Sequence, residues 1–192
     1  MNLLTHDLKD IVQDRIKADF DTDFRTSILF ELLMQREDIK IKLKIRKALE
    51  LYYPDLSQIS DLETALKDIT WFYQCGKEKK TSRKNKKTNN KKNNYIYSYE
   101  YDADYIYSAF MQQYNIDLTE IEYLHWWKFR ALFEGLNKDT KIVEIMGYRA
   151  MDLSKIKDKK EKNFYKKMKE LYALPDMRTT LQKEQDFACN FW

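Results

Sequence analysis

Apolar positions along this chain recur mostly at helical spacing, three and four residues apart. Phe24, Ile28, Leu29, Leu32 and Leu33 share one side of such a helix, and Asp21, Thr22 and Asp23 before them supply capping oxygens. Residues 39–45 alternate Ile and Leu with Lys as a strand would. Yet Ile41, Ile45, Ala48, Leu49 and Tyr52 also form a helical stripe, and strong helix formers carry it to Tyr53. Helix is therefore the expectation there, with Pro54 as its end. Ser60 and Glu63 read as a capping box before a helix that buries Leu62, Ala65, Leu66, Ile69, Phe72 and Tyr73 and stops at Gly76.

The start of the chain is ambiguous. Leu4, Leu8, Ile11 and Val12 fit a helical stripe, but residues 11–24 also read as two short strands around Asp14 and Arg15. Beyond the middle, tyrosines at every second position from Tyr95 to Tyr101 predict an extended approach or short strand. Asp102 or Asp104 then caps a helix carrying Tyr105, Ile106, Ala109, Phe110 and Tyr114. Thr119 and Glu122 make a second capping box before a helix over 121–136 that is apolar on nearly every side. Such a helix must be covered all round, by its own chain or by a partner. A short helix over 140–150 with Gly147 near its end follows. A charged helix from Asp158 comes next, with the stripe Phe164, Met168, Leu171 and Tyr172, and Pro175 closes it.

Between the halves lies a segment with no apolar residue. Residues 77–92 carry nine basic residues against one acid, Glu78. Nothing there offsets the entropy of ordering, so a disordered basic loop is expected. The organisation read from the pattern is a helical half over 1–76, a basic linker over 77–94, an aromatic-rich helical half over 95–174, and a weakly ordered tail over 175–192.

Composition agrees with a mainly α, compact multi-helix domain. Of 192 residues, 43% are hydrophobic, enough for a core, while 3 Gly and 2 Pro are too few for the many tight turns of a sandwich or barrel. The net charge of +4 divides into +8 from the basic run and −4 from everything else. No run is apolar and long enough for a signal peptide or a membrane span, so a cytoplasmic protein with no membrane contact is expected.

Candidate chemistry is sparse. His125 has no second His or Cys at helical spacing and reads as a packed or capping side chain rather than a metal ligand. Cys75 and Cys189 belong to no paired motif and read as packing thiols. The acid pairs Asp102 with Asp104, and Glu120 with Glu122, stand where capping and the helix dipole account for them. No phosphate loop, nucleophile elbow or metal-binding motif occurs, so neither an enzyme nor a cofactor is expected.

Several pieces resemble one family. Tyr101-Asp102-Ala103, residues 114–118 (YNIDL), residues 125–129 (HWWKF), residues 135–137 (GLN) and Tyr148-Arg149 are similar to the gene-product-fifteen family of phages and prophages of Gram-positive bacteria. Residues 22–25 (TDFR) and 49–54 (LELYYP) resemble the family's N-terminal part. The resemblance implies a short hairpin before the first helix, which tips the reading of residues 9–24 toward strand, although no Asp-Gly turn is present. It also implies a role in building a long phage tail in the host cytoplasm, as a chaperone of the tape-measure protein. A tail-tube subunit, a second tail chaperone or further copies of the chain are the other partners it suggests.

On that reading the aromatic helix supplies the grip. Tyr123, Trp126, Trp127, Arg130 and Phe133 are the candidate protein-binding residues, with one tryptophan buried and its neighbour at an inter-element or partner contact, since adjacent helical residues point about 100° apart. Lys79, Lys80, Arg83, Lys84, Lys86, Lys87, Lys91 and Lys92 are candidates for electrostatic contact. Their run keeps one rival open, a nucleic-acid-binding accessory protein working through phosphate contacts.

Overall fold

A computed structural model describes residues 4, 7–77 and 95–175. Among them are eight α-helices: α1 (Leu8–Arg15), α2 (Phe24–Gln35), α3 (Ile41–Tyr52), α4 (Leu62–Tyr73), α5 (Ala103–Tyr114), α6 (Trp126–Glu134), α7 (Lys141–Ala150) and α8 (Lys159–Leu171). No strand occurs among the described residues. A lone antiparallel bridge joins Asp23 to His125. The chain divides into two compact units, Met1–Asn89 with Thr119–Gly135, and Asn90–Leu118 with Leu136–Trp192. The units therefore do not follow the sequence halves: α6 clusters with the N-terminal helices. The basic run and the tail beyond Pro175 lie outside the described residues.

In the first unit the start is helical, which corrects the hairpin expectation. Asp7 caps α1 by accepting the Lys9 N–H at 2.8 Å, and Leu8 and Val12, one turn apart, are both buried. Without a Gly or Asn at the Asp14-Arg15 position, the mirror-image turn of a tight hairpin is costly, whereas the capped helix satisfies its backbone locally. Asp23 caps α2 as expected, accepting from the Arg25 N–H at 2.9 Å. Its buried face is rotated from the apolar stripe, however. Ser27 is fully buried and hydrogen-bonds the Tyr52 hydroxyl at 2.9 Å, while Leu29 is exposed.

α3 is the helix its stripe predicts, with Ala48, Leu49 and Tyr52 buried, although Ile41 at its first turn stays exposed. The cap of α4 is Asp61, not Ser60: its carboxylate takes the Glu63 and Thr64 N–H groups, a charged acceptor displacing the neighbouring hydroxyl. Leu62, expected inside, is exposed. Gly76 does end α4. Cys75 and Gly76 both take positive φ, 57° and 68°, and the Gly76 N–H closes on the Trp71 carbonyl at 3.0 Å.

α6 begins later than the capping box at Thr119 and Glu122 predicts. Backbone pairing with a distant segment decides this. The Phe24 N–H donates to the Leu124 carbonyl and the Trp126 N–H to the Thr22 carbonyl, each at 2.9 Å, while Asp23 Oδ2 accepts the Leu124 N–H at 3.1 Å. Residues 123–125 are thereby held out of the helix beside the start of α2, and the helix can begin only once His125 is in place.

The second unit packs α5 against α7 and α7 against α8. Ile106, Ala109 and Phe110 of α5 and Ile142 and Ile145 of α7 are the buried residues of those two helices. α8 begins where expected, and Asp158 caps it by accepting the Glu161 N–H at 2.7 Å. The alternating tyrosines form no strand. Instead Ser98 and Tyr99 are buried in a turn closed by the Asp102 N–H on the Ser98 carbonyl at 3.0 Å.

Candidate functional site

The five residues singled out on the aromatic helix do not form a surface. Trp126 and Trp127 are 0% and 1% exposed, and Phe133 is buried. Both tryptophans therefore stand at contacts between elements, the first of the two alternatives, with neither facing outward. Their 100° separation is absorbed because α4 ends beneath both. Trp126 Nε1 donates to the Tyr73 carbonyl at 2.9 Å, and Trp127 Nε1 to the Phe72 carbonyl at 2.7 Å. Those carbonyls belong to the last turn of α4, where acceptors lack helical partners. The rings complete the fit, Trp126 stacked on Tyr73 and Trp127 on Phe72, each with centroids 5.5 Å apart. Phe129 stacks on Phe24 of α2 at 4.8 Å. The apolar excess read from the sequence is spent on the core of this unit.

The remaining two are partly exposed. Arg130 lies over the Trp126 ring at 5.5 Å and bonds Glu134 at 2.8 Å. Tyr123 is exposed, with its hydroxyl 2.6 Å from Thr22 Oγ1 and the Lys9 ammonium 5.7 Å from its ring. It borders a cavity of about 350 Å³ lined also by Val12, Phe20 and Asp21. The eight candidate cations from Lys79 to Lys92 lie outside the described residues, as does Cys189.

His125 is the N-cap of α6, its Nδ1 accepting the Trp127 N–H at 3.0 Å. It is 2% exposed, and burial, reinforced by Lys128, pulls its pKa down to about 4, so it is neutral at ordinary pH. Among the described residues no group of three His, Cys, Asp or Glu side chains is placed to hold a metal ion. Burial pushes the Cys75 thiol up, away from the reactive thiolate. No described helix is long and apolar enough to cross a membrane.

Open apolar surface lies elsewhere. α8 has no buried residue at all. The stripe read from the sequence is half uncovered: Phe164 is 50% and Leu171 68% exposed, with Met168 between them only partly covered. The side turned inward is held by tyrosines, Tyr148 stacking on Tyr172 at 5.9 Å and meeting Tyr165 at 6.2 Å. Lys160 and Lys167, seven apart like Phe164 and Leu171, run along one edge of the open stripe, and both are exposed. The result is a basic-edged apolar strip two turns long. The sequence contained this stripe, but not the fact that the described residues of the second unit cover it only in part, Tyr148 meeting Phe164 edge-on with centroids 6.4 Å apart.

The sequence matches the family model described as Bacteriophage Gp15 protein over residues 6–174. No curated protein and no solved structure matches it.

Proposed function

Because the chain belongs to the Bacteriophage Gp15 protein family, we propose that it is a phage tail-assembly protein that chaperones the tape-measure protein, holding a helix of it until tail-tube subunits displace it. The observation that carries this reading is the uncovered stripe of α8, with Phe164 and Leu171 half or more exposed beside Lys160 and Lys167. An amphipathic helix laid along another helix buries its apolar face at such a strip. The lysine edge favours a helix with acidic residues beside its apolar positions, since opposite charges set register and orientation. Two turns of contact make a small interface, suited to a holder that must later release. On this reading the chain works by binding and carries out no catalysis, and its work is in the host cytoplasm.

The experiment is co-expression with fragments of the tape-measure protein from the same phage. A soluble complex that co-purifies is expected, and the double substitution Phe164→Glu with Leu171→Glu abolishes it while leaving the chain folded. Failure of every fragment to co-purify or gain solubility would overturn the reading. A complex untouched by the double substitution would remove α8 as its seat.

A further inference from the structure

A second surface on the first unit has the chemistry of a receptor for carboxylates. Between α1 and α4 lies an open cleft of about 410 Å³, lined by Arg15, Glu63, Leu66, Lys67, Trp71 and Lys77 among others. Arg15 is fixed in it from two sides. Its Nε donates to Asp68 Oδ1 at 2.9 Å, and its guanidinium carbon lies 4.6 Å from the Trp71 ring centre. Trp71 is itself braced edge-on against the buried Trp127, with centroids 5.4 Å apart.

Asp68 thus occupies one nitrogen of the guanidinium. The two terminal nitrogens of Arg15 make no hydrogen bond among the described residues, and its side chain is 41% exposed. A guanidinium held over an aromatic ring with its terminal nitrogens open is preorganised for bidentate bonding to a carboxylate. Lys77 brings a second cation to the rim with no ion pair among the described residues, whereas the acid there, Glu63, is already paired with Lys67 at 2.7 Å. Leu66 and Trp71 supply an apolar floor between the charges.

We propose that this cleft binds an acidic peptide segment of a partner protein. A carboxylate of the segment sits on the Arg15 fork, a second lies near Lys77, and an intervening apolar side chain rests on Leu66 and Trp71. A polynucleotide fits less well. Phosphate tracking needs a row of cations along the backbone, and the described cleft offers one fork and one free ammonium with Glu63 beside them. The proposal does not depend on α8 or on the identity of the partner.

The test is fluorescence anisotropy on the full chain with a labelled peptide, Glu-Glu-Leu-Phe-Glu-Glu, against the same peptide with Gln for Glu and against a short labelled oligothymidylate. The acidic peptide is expected to bind, with the Gln version at least about tenfold weaker. Arg15→Lys keeps the charge but loses the fork, and Lys77→Glu reverses the second cation. Each should weaken binding about five- to tenfold, with thermal unfolding showing that both variants remain folded. No binding of the acidic peptide, unchanged affinity in either variant, or tighter binding of the oligothymidylate would overturn the proposal.

Discussion

Arg149 holds Asp102 through both terminal nitrogens, Nη1 to Oδ2 at 2.6 Å and Nη2 to Oδ1 at 2.9 Å, with the two side chains 9% and 1% exposed. The same guanidinium donates through Nε to the Tyr172 carbonyl at 2.6 Å and through Nη1 to the Ile96 carbonyl at 3.2 Å. The carboxylate also accepts the Ser98 N–H at 2.9 Å. One buried pair thus ties the entry segment, the start of α5, the end of α7 and the residue that closes α8. Asp102 stands at the N-cap position yet spends its carboxylate on this pair rather than on capping.

Removing one member leaves the other charged, buried and unpaired. Asp102→Ala is expected to cost about 3–5 kcal/mol, and Arg149→Ala about as much. The double substitution should cost well under the sum, by about 1–3 kcal/mol, because the two side chains act as one unit. Chemical denaturation of the four proteins in the cycle measures this. Strict additivity would mean that the pair does not hold the unit together.

His125 predicts a pH dependence of defined sign. Its folded pKa of about 4 lies below the ordinary 6.5 because burial disfavours the charged ring. The unfolded chain therefore takes up the proton first as pH falls. The contribution of the neutral ring to stability is complete above pH 6.5 and is lost progressively down to pH 4, by about 3 kcal/mol at most. His125→Asn keeps a side-chain oxygen able to cap α6 and removes the titrating group. Melting temperatures at pH 7, 5.5 and 4.5 should fall less steeply in the variant than in the parent. Parallel curves would show that the ring is not held neutral.

Gly147 sits inside α7, where a Cβ would meet nothing within 4 Å. Glycine in a helix interior loses more backbone entropy on folding than alanine does. Gly147→Ala should therefore stabilise the chain by about 0.5–1 kcal/mol, read as a rise in the denaturation midpoint with an unchanged slope. A loss of stability would mean that α7 needs the glycine for a neighbour or a movement.

How much of this was legible in the sequence depends on the range of the determining interaction. The stripe of α3, the Asp23 cap, the Gly76 stop and the start of α8 at Asp158 are decided within a few residues, and the pattern shows them. The start of α6 is not, because it depends on Thr22 and Phe24 pairing with residues about a hundred positions away. The fate of the tryptophans was hidden for the same reason. Their periodicity shows that they must be covered, but only the placement of the α4 carbonyls beneath both indoles decides that their own unit does the covering. Tyr101-Asp102 and Tyr148-Arg149 were visible as motif pieces; that they meet as an ion pair was not, since charge and spacing alone name no partner. That the stripe of α8 stands half open is not legible either, because an apolar stripe looks identical whether or not a neighbour covers it.

Core and contact surface should therefore separate cleanly under substitution. Trp126→Ala and Trp127→Ala each remove a buried indole together with its hydrogen bond to an α4 carbonyl, so each should cost about 3–5 kcal/mol and lower the yield of folded protein. Any weakening of partner binding in these variants should track the unfolded fraction and disappear when affinities are corrected for it. Phe164→Glu and Leu171→Glu alter residues that are half or more exposed, so stability should stay within about 0.5 kcal/mol of the parent, while capture of a tape-measure fragment is lost. Thermal unfolding and co-purification on the same four variants decide the matter. A tryptophan variant that melts like the parent but no longer binds would return the contact to α6, and α8 would then need another explanation for its uncovered stripe.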